Sequence, residues 1–328
     1  MKKSKKKILI LGGGGFIGSH LAESELLAGN KVCCLDAAPP DKVCHIGDEN
    51  FSYIQSDIMS GCLGGMINMY DVVYHLAAIA DPAVYCDDPV KVLAIDLEMT
   101  QEIIKQCWKQ EKKLIFASTS EVYGKNSQLP WDEGADRVLG PTYTPRWVYA
   151  TAKAMGEHYC YAYGKCGLEF VILRFFNFYG PRLDFIGQGR VIPCFLEKFF
   201  KGEDVEVVLP GTQTRCFTYI TDGIEGIIES AHREEAVGKV FNLGSQYEIS
   251  IADLAHLIKK IGKFKSNIIH IDAEEKYGEG YDDIPRRVPD CTKAYCVLNW
   301  KAYTTLNTGL YRTIEYFKEE YENGNNAA

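Results

Sequence analysis

Short apolar runs rich in β-branched residues recur between longer stretches of mixed polarity, a spacing that predicts strands alternating with helices. Lys7-Ile8-Leu9-Ile10-Leu11 is continuous enough to be a strand buried on both faces. Lys31–Asp36, Ser52–Gln55, Asp71–Ala78 and Lys112–Ala117 read as the next four strands. Between them, Phe16–Leu27 reads as an amphipathic helix, and Pro89–Gln110 and Pro145–Tyr159 read as further helices, the last with Pro145 in its first turn. Downstream, Val205–Val208 and Val240–Leu243 are short strands and Phe195–Lys201 is a helix. Ser250–Ile261 is a helix with Ser250 as its N-cap, and Thr305–Tyr321 carries Leu306, Leu310, Ile314 and Phe317 at helical spacing as a packing face. The pattern is that of an α/β chain: a doubly wound parallel sheet followed by a smaller C-terminal α/β domain.

The first strand runs into Gly12-Gly13-Gly14-Gly15-Phe16-Ile17-Gly18. Glycines at 12, 15 and 18, between a strand and a helix, give the Rossmann dinucleotide fingerprint. The missing Cβ atoms let backbone N–H groups approach a pyrophosphate, and Gly18 lets the helix pack closely on the sheet. This makes Gly12, Gly15, Phe16, Ile17 and Gly18 cofactor candidates. The second strand ends in Asp36, 18 residues past Gly18, where a carboxylate can accept both ribose hydroxyls and repel a 2′-phosphate. Ala37-Ala38-Pro39-Pro40 offers no arginine for that phosphate, so NAD is favoured over NADP. Leu76, Ala77 and Ala78 close the fourth strand with side chains small enough for a cofactor to lie across its end, whereas His75 within it reads as a packed or hydrogen-bonded side chain. Ser118-Thr119-Ser120-Glu121 follows the fifth strand. Polar residues there are either a turn or a ligand site at the carboxyl edge of the sheet. Tyr149 and Lys153 sit four apart on a helix and share a face. An adjacent ammonium lowers the pKa of a phenol and makes it a plausible proton acceptor. Taken alone, that spacing is more often surface decoration.

Composition narrows the picture. The chain has 328 residues, enough for about two domains, with 46% hydrophobic and 24% charged residues. A net charge of −8 argues against nucleic acid as a partner. The basic start Met1–Lys7 is followed by an apolar run too short for a signal peptide or a membrane span, so a cytoplasmic location is expected. Twelve cysteines lack any Cys-x-x-Cys pair and seven histidines lack ligand spacing. Buried thiols and no metal are expected.

The glycine loop, the strand-two acid, Ser118-Thr119 and Tyr149-x-x-x-Lys153 together resemble the extended short-chain dehydrogenase/reductases. The resemblance continues through Arg174-Phe175-Phe176-Asn177-Phe178-Tyr179-Gly180-Pro181-Arg182 and Gln213–Asp222, and spans Lys7 to about Tyr316. It implies NAD as cofactor, a nucleotide-sugar substrate and a homodimer through the helices near 89–110 and 145–164. It also implies an adenine contact from Asp57 and Ile58, although Asp57 read alone could equally cap a helix. The implied domains are 1–180 with about 216–248 for NAD, and 181–215 with 249–328 for the nucleotide sugar. Ser118-Thr119-Ser120-Glu121-Val122-Tyr123-Gly124 and Pro145-Arg146 are similar to the UDP-glucuronate decarboxylases. Pro145-Arg146-Trp147, Ala78-Ile79-Ala80, Tyr85 and Asp96 resemble the type that releases a UDP-4-keto-pentose rather than the UDP-xylose synthases. The wider family has Asn where this chain has Asp96.

By this resemblance Tyr149 takes the C4 hydroxyl proton, Lys153 assists it, and Thr119 with Ser118 or Ser120 binds the C4 oxygen. Glu121 orients the carboxylate or a water, and Arg287 is a proton donor. Tyr85, Arg146, Asn177, Arg182, Arg215 and Arg287 are substrate-binding candidates. Alternatives are a UDP-glucuronate 4-epimerase, a 4,6-dehydratase, which would want an Asp where Ser120 stands, and a non-catalytic NAD-binding protein.

Overall fold

Seven strands form the central sheet of the computed structural model, which describes residues 5–39, 45–61, 63–183, 189–272 and 284–326. Met1–Ser4 of the basic start and Pro40 lie outside them. In chain order the first six are β1 (Lys7–Leu11), β2 (Lys31–Asp36), β3 (Phe51–Gln55), β4 (Val72–His75), β5 (Lys113–Thr119) and β6 (Phe170–Phe175). With β11 (Lys239–Leu243) they lie in the order β11-β6-β5-β4-β1-β2-β3, every pairing parallel. The order reverses direction at β1, so the crevice beyond the carboxyl ends of β1 and β4 is where such a sheet takes a ligand.

The helices cover both faces: α1 (Phe16–Leu27), α2 (Leu63–Ile67), α3 (Pro82–Asp87), α4 (Pro89–Leu93), α5 (Thr100–Lys109) and α6 (Val148–Gly164). The predicted helix over 89–110 is α4 and α5 joined by a π-helical turn, Ala94–Met99. The helix expected from Pro145 begins with a 3₁₀ turn, Pro145–Trp147, and becomes α-helical at Val148. β4 is shorter than expected, stopping at His75, and β5 is longer, carrying Ser118 and Thr119 inside the strand. α1 departs from simple amphipathicity. Leu27 is 84% exposed, whereas Glu25 is fully buried, because Tyr74 donates to it at 2.6 Å and Asn30 at 2.5 Å.

The rest of the chain builds a smaller lobe. It contains β7 (Phe178–Tyr179), α7 (Val191–Lys201), β8 (Val205–Val208), β9 (Thr214–Cys216), β10 (Thr218–Tyr219), β12 (Glu248–Ser250), α9 (Ile251–Gly262), β13 (Ile268–Ile271) and β14 (Arg286–Arg287), whereas α8 (Ile220–His232) packs on α1 and β6. β12, β9 and β14 form a three-stranded sheet, and β8 pairs with β13. Ser250 caps α9 as expected, accepting the Asp253 N–H at 3.0 Å. The last helix, Leu306–Asn326, buries Leu306, Leu310, Ile314 and Phe317. One apolar cluster runs from Ile8, Ile10 and Tyr74 on the sheet through Phe195 and Leu254 to Phe317. Cys33, Cys34, Cys107, Cys160, Cys216 and Cys291 are buried thiols.

A polar network fastens β5 and β6 to α6. The Arg174 guanidinium donates to both oxygens of Glu157, at 2.9 and 2.6 Å, and to the Tyr123 hydroxyl at 2.8 Å. Tyr123 in turn donates to Asn242 at 2.7 Å. Removing one partner of a buried pair strands the other charge. Arg174→Ala is therefore expected to lower unfolding free energy by about 3–5 kcal/mol, read as a reduced urea midpoint at unchanged slope.

Candidate active site

The site begins at the glycine loop. Gly12 adopts φ +87°, and a Cβ there would stand 2.7 Å from the Ala77 nitrogen; a Cβ on Gly18 would collide with the Gly12 carbonyl. These two glycines are required by the protein's own packing. Gly15 is different. It starts α1 with φ −79°, and a Cβ would meet only the Gly12 oxygen, at 3.4 Å. Nothing in the fold demands glycine there, but an open helix N-terminus is what a pyrophosphate needs. Phe16 and Ile17 form the first turn behind it. Asp36 accepts the N–H of Gly14 at 2.8 Å and of Ala38 at 3.0 Å, which fixes its carboxylate beside the loop. The N–H groups of Leu76 and Ala77 both donate to Leu11, holding the Leu76–Ala78 segment against β1. Asp57 caps a turn through the Met59 N–H at 2.9 Å rather than a helix, and Ile58 beside it is buried. The residues present fit a dinucleotide.

Beyond the end of β4, α6 delivers the reactive pair. Tyr149 is buried and stacks on Tyr85 with ring centroids 4.9 Å apart, and the Thr119 side chain is a neighbour that favours its ionised form. Lys153 is fully buried and lies 5.8 Å from the Tyr149 ring centroid. The expected acidification of Tyr149 by Lys153 is corrected by the surroundings. The ammonium is 3.3 Å from the Asp96 carboxylate, and burial pushes the phenol well above its ordinary value, with the charges of Asp96 and Glu121 adding to the rise. Arg190, just ahead of α7, opposes this from the other side. No sequence pattern pointed to Arg190, whose effect depends on the tertiary fold.

Ser118 and Thr119 separate. Ser118 donates to Glu157 at 2.5 Å, inside the Arg174 network, so it is not available to a C4 oxygen. Ser120 is buried at the start of the 3₁₀ turn Ser120–Tyr123. Glu121, expected to orient the carboxylate or a water, is itself held from two sides. One of its oxygens is 2.7 Å from Arg146 and the other is bonded by Arg287. Burial opposes its charge, but the two guanidiniums more than compensate and lower its pKa to about 2. Neutral His75 bonds Thr100 at 2.8 Å, with burial and the Lys153 charge holding its pKa well below the usual range.

The remaining candidates are spread more widely. Arg215 donates to the carbonyls of Thr214 and Ile284, at 2.8 Å each, and pairs through its backbone with Arg287. Asn177 adopts φ +39° and donates to the Cys216 carbonyl at 3.1 Å. Arg182, at φ +65°, bonds Glu23 of α1 at 2.8 Å. These three anchor the seam between α1, β9 and the 177–183 segment. Among the described residues no cluster of His, Cys, Asp or Glu could hold a metal ion, and no helix is long and apolar enough to cross a membrane.

A parallel sheet with a dinucleotide cradle and a Tyr–Lys pair at its carboxyl edge defines a nucleotide-dependent oxidoreductase-type site. A profile of the NAD dependent epimerase/dehydratase family matches residues 8–244. The chain belongs to that family, and its cofactor is NAD. It is 37% identical over 318 residues to the UDP-N-acetyl-alpha-D-glucosaminuronate decarboxylase of Bacillus cytotoxicus, covering 96% of this chain and 98% of that protein. Among solved structures, the PbgP3 protein from Burkholderia pseudomallei superposes with a TM-score of 0.86 at 30% identity, covering 98% of each chain. The UDP-glucuronic acid 4-epimerase from Bacillus cereus, in complex with UDP-glucuronic acid and NAD, also gives 0.86, at 27% identity over 96% of this chain and 100% of that one.

Two outcomes follow from this geometry. Calorimetry should show NAD⁺ binding more tightly than NADP⁺, and Asp36→Ala with Ala37→Arg should erode the preference; equal binding by the wild type would contradict it. Because the Glu121 pKa is lowered from 4.5 to about 2, its contribution to stability is complete above pH 4.5 and is lost as pH falls towards 2. Urea titrations of wild type and Glu121→Gln should differ by about 3 kcal/mol near neutrality and converge across that acid window.

Proposed function

We propose that the chain is an NAD-dependent decarboxylase of a UDP-hexuronate, with UDP-glucuronic acid as substrate. The observation that carries this reading is the placement of Thr119, Tyr149 and Lys153 beside Glu121, Arg146 and Arg287. The first group suits oxidation of a sugar hydroxyl. The second brings two buried guanidiniums next to the base, and planar forks suit paired carboxylate oxygens. Both also hold Glu121, and a substrate carboxylate would join that cluster.

Thr119 hydrogen-bonds the C4 oxygen, and Tyr149 accepts the C4 hydroxyl proton. Lys153 holds positive charge against the Tyr149 face of α6. NAD, when bound in the glycine cradle, supplies the hydride acceptor for C4. The resulting ketone is β to the C6 carboxylate, so the electrons of the C5–C6 bond can delocalise into it as CO₂ leaves. Arg287, steadied by Glu121, or a water returns a proton to C5. The smaller lobe would seat the nucleotide sugar. A homodimer through α4, α5 and α6 fits the exposed Val90 and Leu93 on α4 and Met155 and Tyr161 on α6.

The Bacillus cytotoxicus relative supports a second reading, in which the hexuronate carries a 2-acetamido group. C2 takes no part in the chemistry, so the same residues serve. The test offers NAD⁺ with each of the two UDP-hexuronates and follows CO₂ together with the absorbance of reduced nicotinamide. CO₂ from either substrate supports decarboxylation and identifies which sugar is used. Reduced cofactor rising in step with CO₂ means release of the 4-keto-pentose, and CO₂ without it means UDP-xylose or its acetamido counterpart. Tyr149→Phe should slow CO₂ release by at least ~10²-fold while keeping NAD⁺ affinity. UDP-galacturonate without CO₂ would overturn the proposal in favour of a 4-epimerase.

A further inference from the structure

The glycine run holds two more glycines than the cradle accounts for. Gly12 and Gly18 are fixed by packing and Gly15 by the open helix start, which leaves Gly13 and Gly14. Both lie on a floor laid by β2 and β3, where Cys34 and Tyr53 are partners in the parallel register. A Cβ on Gly13 would run into the Cys34 side chain. A Cβ on Gly14 would stand 3.0 Å from the Tyr53 hydroxyl, 3.1 Å from the Asp36 carboxyl carbon and 3.2 Å from the Ala38 Cβ. Gly14 is therefore hemmed in by the turn that carries the ribose-binding acid and by a phenol from the next strand.

That phenol is tied to the turn. Asp36 accepts the Gly14 N–H through one oxygen and the Ala38 N–H through the other. Those two bonds orient the carboxylate towards the backbone but leave the far side of the turn unsecured. Tyr53 secures it, donating its hydroxyl to the Ala38 carbonyl at 2.7 Å. The Ser56 N–H donates to the Asp36 carbonyl at 2.9 Å, so β3 holds the turn on both sides of the acid. The Tyr53 ring is half-buried and packs against the apolar cluster that joins the sheet to the smaller lobe, which fixes the donor in its turn.

We infer that Tyr53 is a specificity-determining residue for the cofactor: its hydroxyl closes the Asp36–Ala38 turn beside Gly14, aims the Asp36 carboxylate at the ribose hydroxyls and denies the turn the movement that a 2′-phosphate demands. Asp36 supplies the attraction for one cofactor and the repulsion against the other, and discrimination needs both. A carboxylate on a loose turn can swing into water when a phosphate arrives, and its repulsion is then spent on solvent. A carboxylate held from β3 cannot. The same fixing raises affinity for NAD⁺, because the acceptor is already ordered before the ribose arrives. The inference concerns the cofactor alone and holds whichever nucleotide sugar the site takes.

Its test is calorimetric. The full chain, freed of nucleotide, is titrated with NAD⁺, with NADP⁺ and with an NAD⁺ analogue lacking the adenosine 2′-hydroxyl, in wild type and in Tyr53→Phe. The variant removes one oxygen and keeps the packed ring. NAD⁺ should bind it about three- to tenfold more weakly, the worth of one intramolecular hydrogen bond. The analogue, which offers Asp36 one hydroxyl fewer, should lose less, and NADP⁺ should lose nothing, so that the preference for NAD⁺ narrows. Gly14→Ala presses on the same hydroxyl and carboxyl and should lower the preference for NAD⁺ over the analogue as well; any obstruction of the dinucleotide itself cancels in that ratio. Equal weakening of NAD⁺ and the analogue by Tyr53→Phe would mean that the phenol only supports the fold. An unchanged ratio of NAD⁺ to NADP⁺ affinity would mean that Asp36 discriminates unaided. Either result would overturn the inference.

Discussion

A carboxylate gripped by two guanidiniums sets the form of this site. Glu121 leaves the end of β5 on a 3₁₀ turn, Arg146 arrives on the turn that leads into α6, and Arg287 comes from β14 in the smaller lobe. Burying any of these charges singly would be costly, so each is held where the other two require it. The consequence is geometric. Three segments far apart in the chain meet beside Tyr149, and the smaller lobe is pinned to the carboxyl edge of the sheet by an ion pair as well as by the shared apolar core.

The strand feeding this cluster adds a second constraint. Because β5 runs through Thr119, successive side chains point to opposite sides. Ser118 faces the Glu157–Arg174 network behind the site and Thr119 faces Tyr149 in front of it. Glu157 and Tyr149 belong to the same helix. The network that receives Ser118 therefore also fixes the height at which α6 presents its base to Thr119. Structural and reactive polar groups alternate along one strand end, and neither set can shift without the other.

Much of this was legible from the chain alone. Gly12, Gly18, Asp36, Tyr149 and Lys153 were readable because each depends on short spacing or on a strand–turn–helix context. What was not legible depends on long-range partners. Ser-Thr-Ser does not reveal which hydroxyl faces the base until the end of β5 is known, and the expected strand stopped at Ala117. Glu121 and Arg287 are 166 residues apart, and no periodicity links them. Lys153 was expected to acidify its neighbour because i,i+4 geometry brings the two together. That geometry says nothing about Asp96, which a π-turn rotates inward to take the ammonium. Glu25 makes the same point: a charge on a helix face reads as solvated until Tyr74 and Asn30 are seen to supply donors.

The account stands on the claim that the guanidiniums beside Tyr149 serve a substrate carboxylate. Single-turnover hydride transfer, followed as reduced nicotinamide with saturating NAD⁺, compares UDP-glucuronate with UDP-glucose, which differ at C6 alone. Charge-assisted hydrogen bonds to a carboxylate contribute about 1.5–3 kcal/mol, so UDP-glucuronate should be oxidised at least about tenfold more efficiently. UDP-glucose oxidised as well as or better than UDP-glucuronate would contradict the account.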